Sequence, residues 1–209
     1  MRGPTSRRMQ LSRDTLKLLL ALAAIVIGVG SMLSNRPVER APGVLAPHGP
    51  LQLELADAAP LQHQEFELTP RAAFELEARV LSAERYRWDG GAGLAPVDLA
   101  LGWGPMSDSA MLARFKVTQG ARFYTLYPED EAVDLALALR HSANMHLIPA
   151  SESVRRMLES ARAGQIVSLR GQLVDAARPD GFTWRTSLTR EDTGAGACEL
   201  VYVESAALR

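Results

Sequence analysis

An uncharged apolar run near the N-terminus is the feature that most constrains this chain. Residues 18–33 contain no charged side chain, and Lys17 precedes them. A helix needs about 20 residues to cross the hydrocarbon core of a bilayer, with a lower bound near 17. Counted from Thr15, the run is long enough, because the Lys17 side chain can extend its ammonium group to the interface. The sequence therefore predicts a transmembrane helix over residues 15–33.

The charges beside this run predict its orientation. Residues 1–17 hold five basic side chains against one acidic side chain, and the rest of the chain is net acidic by five charges. Positively charged flanks stay on the cytoplasmic side of a membrane. We therefore expect a single-pass signal anchor in a bacterial inner membrane, with residues 1–14 as a cytoplasmic basic tail and the C-terminal domain in the periplasm.

A cleaved signal peptide is the alternative interpretation of the same segment. Such a peptide also combines a basic start with an apolar run, and ends in a small-x-small cleavage site. Here the nearest small pair, Gly28 and Gly30, lies inside the apolar run. This favours an uncleaved anchor, whereas both interpretations deliver the domain to the periplasm.

The rest of the chain divides into a spacer and a domain. Residues 34–50 contain four prolines and two glycines, a composition typical of an extended linker. Residues 51–209 alternate strand-like and helix-like patterns, with strands at both ends and helices between them. This predicts an α+β domain with an antiparallel sheet that can curl into a barrel, together with two or three helices.

The predicted elements come from hydrophobic periodicity, capping residues and turn residues. Residues 73–80 alternate apolar and polar side chains, and 178–181 has turn chemistry. Ser107 or Asp108 is suited to cap one helix, and Ser151 is suited to cap another. Strands are predicted at 51–55, 73–80, 117–127, 166–174, 182–188 and 199–204, helices at 108–115, 129–140 and 152–163, and an irregular segment at 96–107.

Charge and cysteine content narrow the functional classes. A net acidic domain lacks the clustered basic residues that nucleic-acid phosphates attract, so we expect no nucleic-acid partner. Cys198 is the single cysteine, so no intrachain disulfide can form.

Asp192-Thr193-Gly194-Ala195 matches the loop that carries the catalytic aspartate of aspartic proteases. That chemistry needs two carboxylates sharing one proton, so a single copy would require a homodimer. The polar residues Thr189, Arg190 and Glu191 precede the loop, whereas an apolar strand would bury the aspartate. A polar turn between two strands is the favoured interpretation.

Two histidines and the cysteine are further candidates for chemistry. His141 and His146 are five residues apart, which does not place two imidazoles on one helix face. A loop could still join them with Cys198 or Glu199 in a metal site. Cys198 and His146 could also form a thiol nucleophile and its base. A buried core thiol is the favoured alternative, because cysteine is among the most buried residue types.

Three blocks of the sequence carry a resemblance. They are residues 95–108 (APVDLALGWGPMSD), residues 141–150 (HSANMHLIPA) and residues 184–199, in which WRTSLTREDTG precedes ACE. Over roughly residues 70–204 the chain resembles a group of small, uncharacterised proteobacterial proteins with one N-terminal membrane segment. The resemblance implies no activity, but it marks these blocks as a candidate site.

The sequence thus predicts a membrane-anchored envelope protein whose periplasmic domain binds a partner or ligand. A periplasmic hydrolase or metal-dependent enzyme using His141, His146 and Cys198 is the alternative. We expect the lipid bilayer to contact residues 15–33 and an envelope protein to be the partner, and we expect no cofactor and no metal. The candidate functional cluster is His141, Asn144, His146, Trp184, Arg190, Asp192, Cys198 and Glu199.

Overall fold

The computed structural model describes residues 15–18, 20–22, 25, 36–189 and 198–209. The chain divides into two compact units, residues 1–36 and residues 37–209. The second unit contains the elements that build the domain.

Strands dominate the described part of the second unit. The strands are β1 Leu51–Glu54, β2 Leu61–His63, β3 Phe66–Arg85, β4 Val97–Gly102, β5 Phe115–Gly120, β6 Phe123–Pro128, β7 Ser142–Pro149, β8 Ile166–Ala177, β9 Thr183–Trp184 and β10 Glu199–Leu208. The α-helices are α1 Ser109–Leu112, α2 Leu135–Arg140 and α3 Glu152–Glu159, and a 3-10 helix spans Gly104–Ser107.

Five strands close into a barrel. The hydrogen-bonded order is β3-β4-β7-β10-β8, and β8 pairs again with β3. The β7–β10 pair is parallel, while the other four pairs of the ring are antiparallel. A five-stranded barrel with this connectivity and a helix between its third and fourth strands has the topology of oligonucleotide- and oligosaccharide-binding (OB) barrels.

Strand β3 closes the ring because it pairs along both edges. Its pairing with β8 shifts at Arg71, directly after Pro70, and its pairing with β4 shifts at Leu81. An extra residue in one strand bends it and increases its twist, and proline is tolerated at such irregularities. The two bulges therefore let one long strand curve around the barrel.

The barrel has an apolar interior and a second covered layer outside. Alternate residues of the strands, including Phe74, Leu99, Met145 and Val201, fill the interior, as the two-residue period of a strand requires. Outside, the segments after β3 and β8 cover an apolar cluster that includes Leu94 and Ile148.

Two predicted helix caps are confirmed. The Ser151 side chain accepts a hydrogen bond from the Val154 amide at the start of α3, and Asp108 accepts one from Ala110 at the start of α1. These bonds satisfy amide groups that the first helical turn leaves without a partner.

The end of the predicted spacer lies on the barrel. The Arg40 side chain donates to the carbonyl groups of Gly164 and Arg209. The amides of Leu45 and Ala46 both donate to the Ser107 hydroxyl at 3.0 Å. Residues 37–50 therefore belong to the same compact unit as the strands.

The predicted fold class, an α+β domain behind an N-terminal transmembrane helix, is wrong. The domain is mainly β, and the α-helices described in the second unit are four, six and eight residues long. The error arose because 129–140 was assigned wholly to a helix, whereas α2 begins only at Leu135. Residues 96–107, predicted to be irregular, contain β4.

The predicted single-pass signal anchor over 15–33 is also contradicted. Within the described ranges, no helix has both the length and the apolar character needed to cross a membrane. The predicted tail 1–14, and positions 19, 23–24 and 26–33 of the predicted anchor, lie outside the described residues.

The segment 117–127, predicted as one strand, is a hairpin. Strands β5 and β6 pair with each other in a separate two-stranded sheet, and Gly120 faces Phe123 across a two-residue turn. Ala121 and Arg122 form that turn. The sequence did not predict it because neither residue is typical of a tight turn.

A glycine at the β8–β10 contact provides a test of this fold. A Cβ atom at Gly171 would overlap the Tyr202 carbonyl group. We expect Gly171→Ala to lower the free energy of unfolding by about 1–3 kcal/mol through overpacking, measured by urea denaturation.

Gly90→Ala is the matched control, since a Cβ atom at that position would meet no neighbouring atom within 4 Å. Equal stability of the two variants would contradict the close approach of β8 and β10.

Candidate functional site

The outer side of β4 and β7 carries buried polar side chains. Asp98 pairs with His146 across these strands, and Asn144 lies two residues before His146 on the same face. The three residues are 0%, 3% and 1% exposed, respectively. Burying such groups is costly unless they have polar partners, so the contacts of this face determine what it can do.

The β5–β6 hairpin covers this polar face. Gln119 donates to the side-chain oxygen of Asn144 at 2.7 Å, and Asn144 donates to the Arg122 carbonyl at 3.0 Å. The Tyr124 hydroxyl is 3.0 Å from the Ser142 hydroxyl. The hairpin therefore contacts the barrel here through side chains, while the backbones of its two strands pair with each other in a separate sheet.

The tip of the hairpin has an unusual backbone. Ala121 and Arg122 have φ angles of 48° and 70°, the left-handed conformation that two-residue hairpin turns require at both central positions. Glycine or asparagine normally occupies such positions, and another residue costs about 1 kcal/mol or more there. The surrounding contacts must therefore hold Arg122 in place.

The Arg122 guanidinium is bound at both ends. Its Nη1 donates to Asp98 Oδ1 and to the Ala95 carbonyl, both at 2.8 Å. Its Nε and Nη2 donate to the two oxygens of Asp89 at 2.8 and 2.7 Å. Planar forked contacts of this kind are among the strongest that arginine makes with carboxylates.

The charges of this network shift the pKa values of its members. Burial disfavours the charged form of Arg122, but its hydrogen bonds with Asp89 and the charge of Asp98 outweigh burial, so the pKa of Arg122 is raised. Its hydrogen bonds to Asp89 lower the pKa of that carboxyl group. Both shifts favour the ion pair.

Two aromatic rings complete the surroundings of the guanidinium. Its central carbon lies 3.7 Å from the Tyr86 ring centroid and 5.4 Å from that of Trp184, within reach of cation–π attraction. The Tyr86 hydroxyl accepts a hydrogen bond from the Arg122 amide. Trp184 packs over Gly91, where a Cβ atom would overlap the ring. We call Tyr86, Asp89, Ala95, Asp98 and Trp184 the guanidinium cage.

His146 lies at the floor of the cage. Its Nδ1 is 3.0 Å from Asp98 Oδ2, but the two atoms are not aligned for a hydrogen bond, and among the described residues neither has another hydrogen-bond partner. Its ring centroid lies 4.6 Å from that of Trp184. A buried acid and imidazole therefore remain incompletely satisfied.

The structure brings together four of the eight residues in the predicted cluster. Asn144, His146 and Trp184 belong to this region, and the Cys198 sulfur lies 4.0 Å from the Asn144 amide nitrogen. Sequence patterns alone do not single out the other members of this region, which are Asp98, Arg122, Asp89, Tyr86 and Gln119. Alternation of Ser142, Asn144 and His146 with apolar residues was a signal for a strand with one polar face.

Of the other four predicted residues, two lie away from this region and two fall outside the described residues. His141 packs against Gly104, and its Nδ1 lies 2.9 Å from the Leu137 carbonyl oxygen. Glu199 pairs with Met145, so its side chain lies on the opposite face of the sheet from His146. Arg190 and Asp192, with the protease-like loop, lie outside the described residues.

This arrangement is suited to holding a cation. Arg122 occupies the space beside the Asp98 carboxylate, and His146, which packs against the Trp184 ring, is buried. Over residues 36–189 and 198–209, no three His, Cys, Asp or Glu side chains are grouped to bind a metal ion.

No protein-family model, curated protein or solved structure matches this chain significantly. The OB-type topology is a property of the fold alone and does not define a ligand. Evidence for function therefore comes from the arrangement of side chains.

Removing the arginine tests the network. We expect Arg122→Ala to lower the free energy of unfolding by about 3 kcal/mol, because the buried Asp98 carboxylate loses its counter-ion. Urea denaturation measures the change.

Arg114→Ala is the control, since Arg114 pairs with Asp130 in an exposed salt bridge at the base of the hairpin. Exposed pairs contribute little to stability. An equal loss in the two variants would contradict the central role of Arg122.

The lowered pKa of Asp89 gives a pH prediction. A carboxyl group with a lower pKa in the folded state stabilises the protein above its unfolded pKa of about 3.9, and this contribution is lost as the pH falls through the folded pKa. We therefore expect the difference in unfolding free energy between wild type and Asp89→Asn to shrink between about pH 5 and pH 2.

The same titration in an Arg122→Ala background provides the control. Without the guanidinium, Asp89→Asn should cause little pH-dependent difference, because the partner that shifts the pKa is gone. A persistent difference would assign the shift to another group.

Proposed function

We propose that this barrel is a non-catalytic domain that binds a partner protein through an aromatic strip, formed by Trp88, Phe123 and Tyr127. The proposal rests on the exposure of Trp88. Its side chain is 95% exposed, although contacts of residues on both sides of Trp88 hold its loop in place. Its neighbours Tyr86 and Asp89 each contact Arg122. An exposed tryptophan on an anchored loop is well suited to burial in an interface.

Two further aromatic side chains extend this surface. Phe123 directly follows Arg122 and is 47% exposed, and Tyr127 is 52% exposed. They lie four residues apart on β6, with Thr125 between them, and all three are exposed. The alternation of a strand places them on the outer face of the hairpin. The Asp89–Arg122 ion pair joins the Trp88 loop to the tip of this hairpin.

The Trp88 loop lies where barrels of the same topology bind their ligands. OB barrels bind ligands at their second and third strands and at the loop between the first and second. Here these parts are β4, β7 and residues 86–96, the loop that holds Trp88. Fold analogy alone does not define a ligand. The exposed aromatic side chains support an interface independently of it.

A protein partner fits the composition better than a nucleic acid. Aromatic residues and arginine are enriched at the centres of protein interfaces, whereas the net acidic chain after residue 17 repels phosphates. The location of the domain outside the cytoplasm stays a prediction, as does the identity of an envelope protein as the partner.

Site-specific crosslinking tests the aromatic strip. A photoreactive phenylalanine analogue replaces Trp88 in one variant and Tyr127 in another, and both are expressed in the cells that naturally make the protein. We expect one partner of the same mass to be crosslinked from both positions, identified by mass spectrometry.

Leu53 is the control position, since it is 58% exposed on β1, outside the strip. The Trp88→Ala/Tyr127→Ala double variant should lose the complex while keeping its melting temperature, because exposed substitutions change stability little. Equal crosslinking from position 53, or none from 88 and 127, would refute the aromatic strip as the interface.

A further inference from the structure

We propose that the guanidinium cage is an arginine-binding site that Arg122 occupies as an internal ligand. An arginine side chain of the partner protein takes its place when the hairpin tip lifts. That the arginine comes from the partner protein rests on the proposed function. That the site binds a guanidinium rests only on the contacts of the cage.

The cage recognises the shape of a guanidinium as well as its charge. Asp89 binds one edge of the group through two hydrogen bonds, Asp98 and the Ala95 carbonyl bind Nη1, and Tyr86 lies against its face. An ammonium group is a compact point charge that can neither span this fork nor stack in the same way. The ligand class is therefore a guanidinium.

The internal ligand does not satisfy the site completely. Two carboxylates face one guanidinium, and Asp98, which is fully buried, has its Oδ2 without an aligned donor. His146 Nδ1, also buried, is in the same condition. The two atoms lie 3.0 Å apart without hydrogen-bond alignment. This buried and imperfectly aligned pair distinguishes the cage from an ordinary surface ion pair.

The hairpin tip can lift without opening the barrel. Its strands form their own sheet, so no barrel ladder is broken. Ala121 and Arg122 hold a left-handed conformation that is unfavourable for their side chains, and opening the Gly120–Phe123 end of the hairpin would relieve it. The base of the hairpin can remain in place, since Phe115 and Leu126 are buried in an apolar cluster with Leu81 and Met106.

The location of the cage connects it to the proposed interface. Asp89 is adjacent to Trp88, and Arg122 is adjacent to Phe123. A partner that covers the aromatic strip therefore lies beside the cage and can present an arginine to it. The competing internal arginine would weaken binding until the tip moves, which makes the affinity depend on the open fraction.

Chemical complementation of a cage variant tests the site directly. Full-length Arg122→Ala is melted with increasing methylguanidinium, and separately with methylammonium at the same ionic strength. We expect a saturable rise in melting temperature with methylguanidinium only. The affinity of wild type should be weaker by about tenfold or more, because Arg122 competes for the cage.

Two variants control this experiment. Arg114→Ala removes an exposed arginine from the same hairpin region and should respond to methylguanidinium only as weakly as wild type does. Arg122→Ala/Asp98→Asn should lose the rise, because the buried carboxylate is gone. Equal effects of the two cations would indicate a response to charge alone, and the absence of a rise in a folded Arg122→Ala variant would equally overturn the proposal.

Hydrogen exchange on the wild-type chain decides the matter even where the variants fail to fold. A short neutral-capped peptide with one arginine should accelerate exchange at amides 119–123, while the lysine counterpart should not. Unchanged exchange with the arginine peptide would overturn displacement of the tip. Methylguanidinium and the short peptides act without the partner protein. A negative crosslinking result at the aromatic strip would therefore leave the results for the cage unaffected.

Discussion

The double pairing of β3 is the constraint on which the rest of the structure depends. One strand borders both β4 and β8, so the sheet has to curve until its ends meet. The bulges at Arg71 and Leu81 supply the necessary bends. Closure fixes the positions of β4 and β7, and their outer faces then carry the polar side chains that the hairpin covers.

Burial of that polar face under the hairpin requires a cation beside the Asp98 carboxylate, and Arg122 supplies it. A carboxylate as buried as Asp98 is unfavourable without a nearby cation. The described flanking strands place no cation beside the polar pair, since Glu84 pairs with Asp98 and Leu200 pairs with His146. A hairpin from the connection between β4 and β7 provides the cation instead, at the cost of a strained turn. Stability and the proposed recognition therefore use the same contacts.

The parts of the fold that could be predicted follow local rules. The strand at 73–80 has a clear two-residue period, and Ser151 and Asp108 are side chains suited to capping. The hairpin could not be predicted, because its turn uses residues that tertiary contacts hold in an uncommon conformation. Strand β7 was missed because its polar residues were interpreted as separate motifs, although they alternate regularly.

The candidate site was predictable only in part for the same reason. Asn144, His146, Trp184 and Cys198 stand in the blocks that the resemblance singled out, so they could be proposed before the fold was known. Arg122 and Asp89 have no sequence signature, because their roles depend on which distant segments meet. Only the closed barrel brings those segments together.

The parallel pairing of β7 with β10 has a consequence for biosynthesis. These strands are separated in sequence by α3 and β8, and β3 pairs Glu67 with Ala177. The ring therefore cannot close until the final strand has left the ribosome. Contacts between distant parts of a chain slow folding, so the nascent polypeptide passes through a stage with open sheet edges, when chaperones would be of most use.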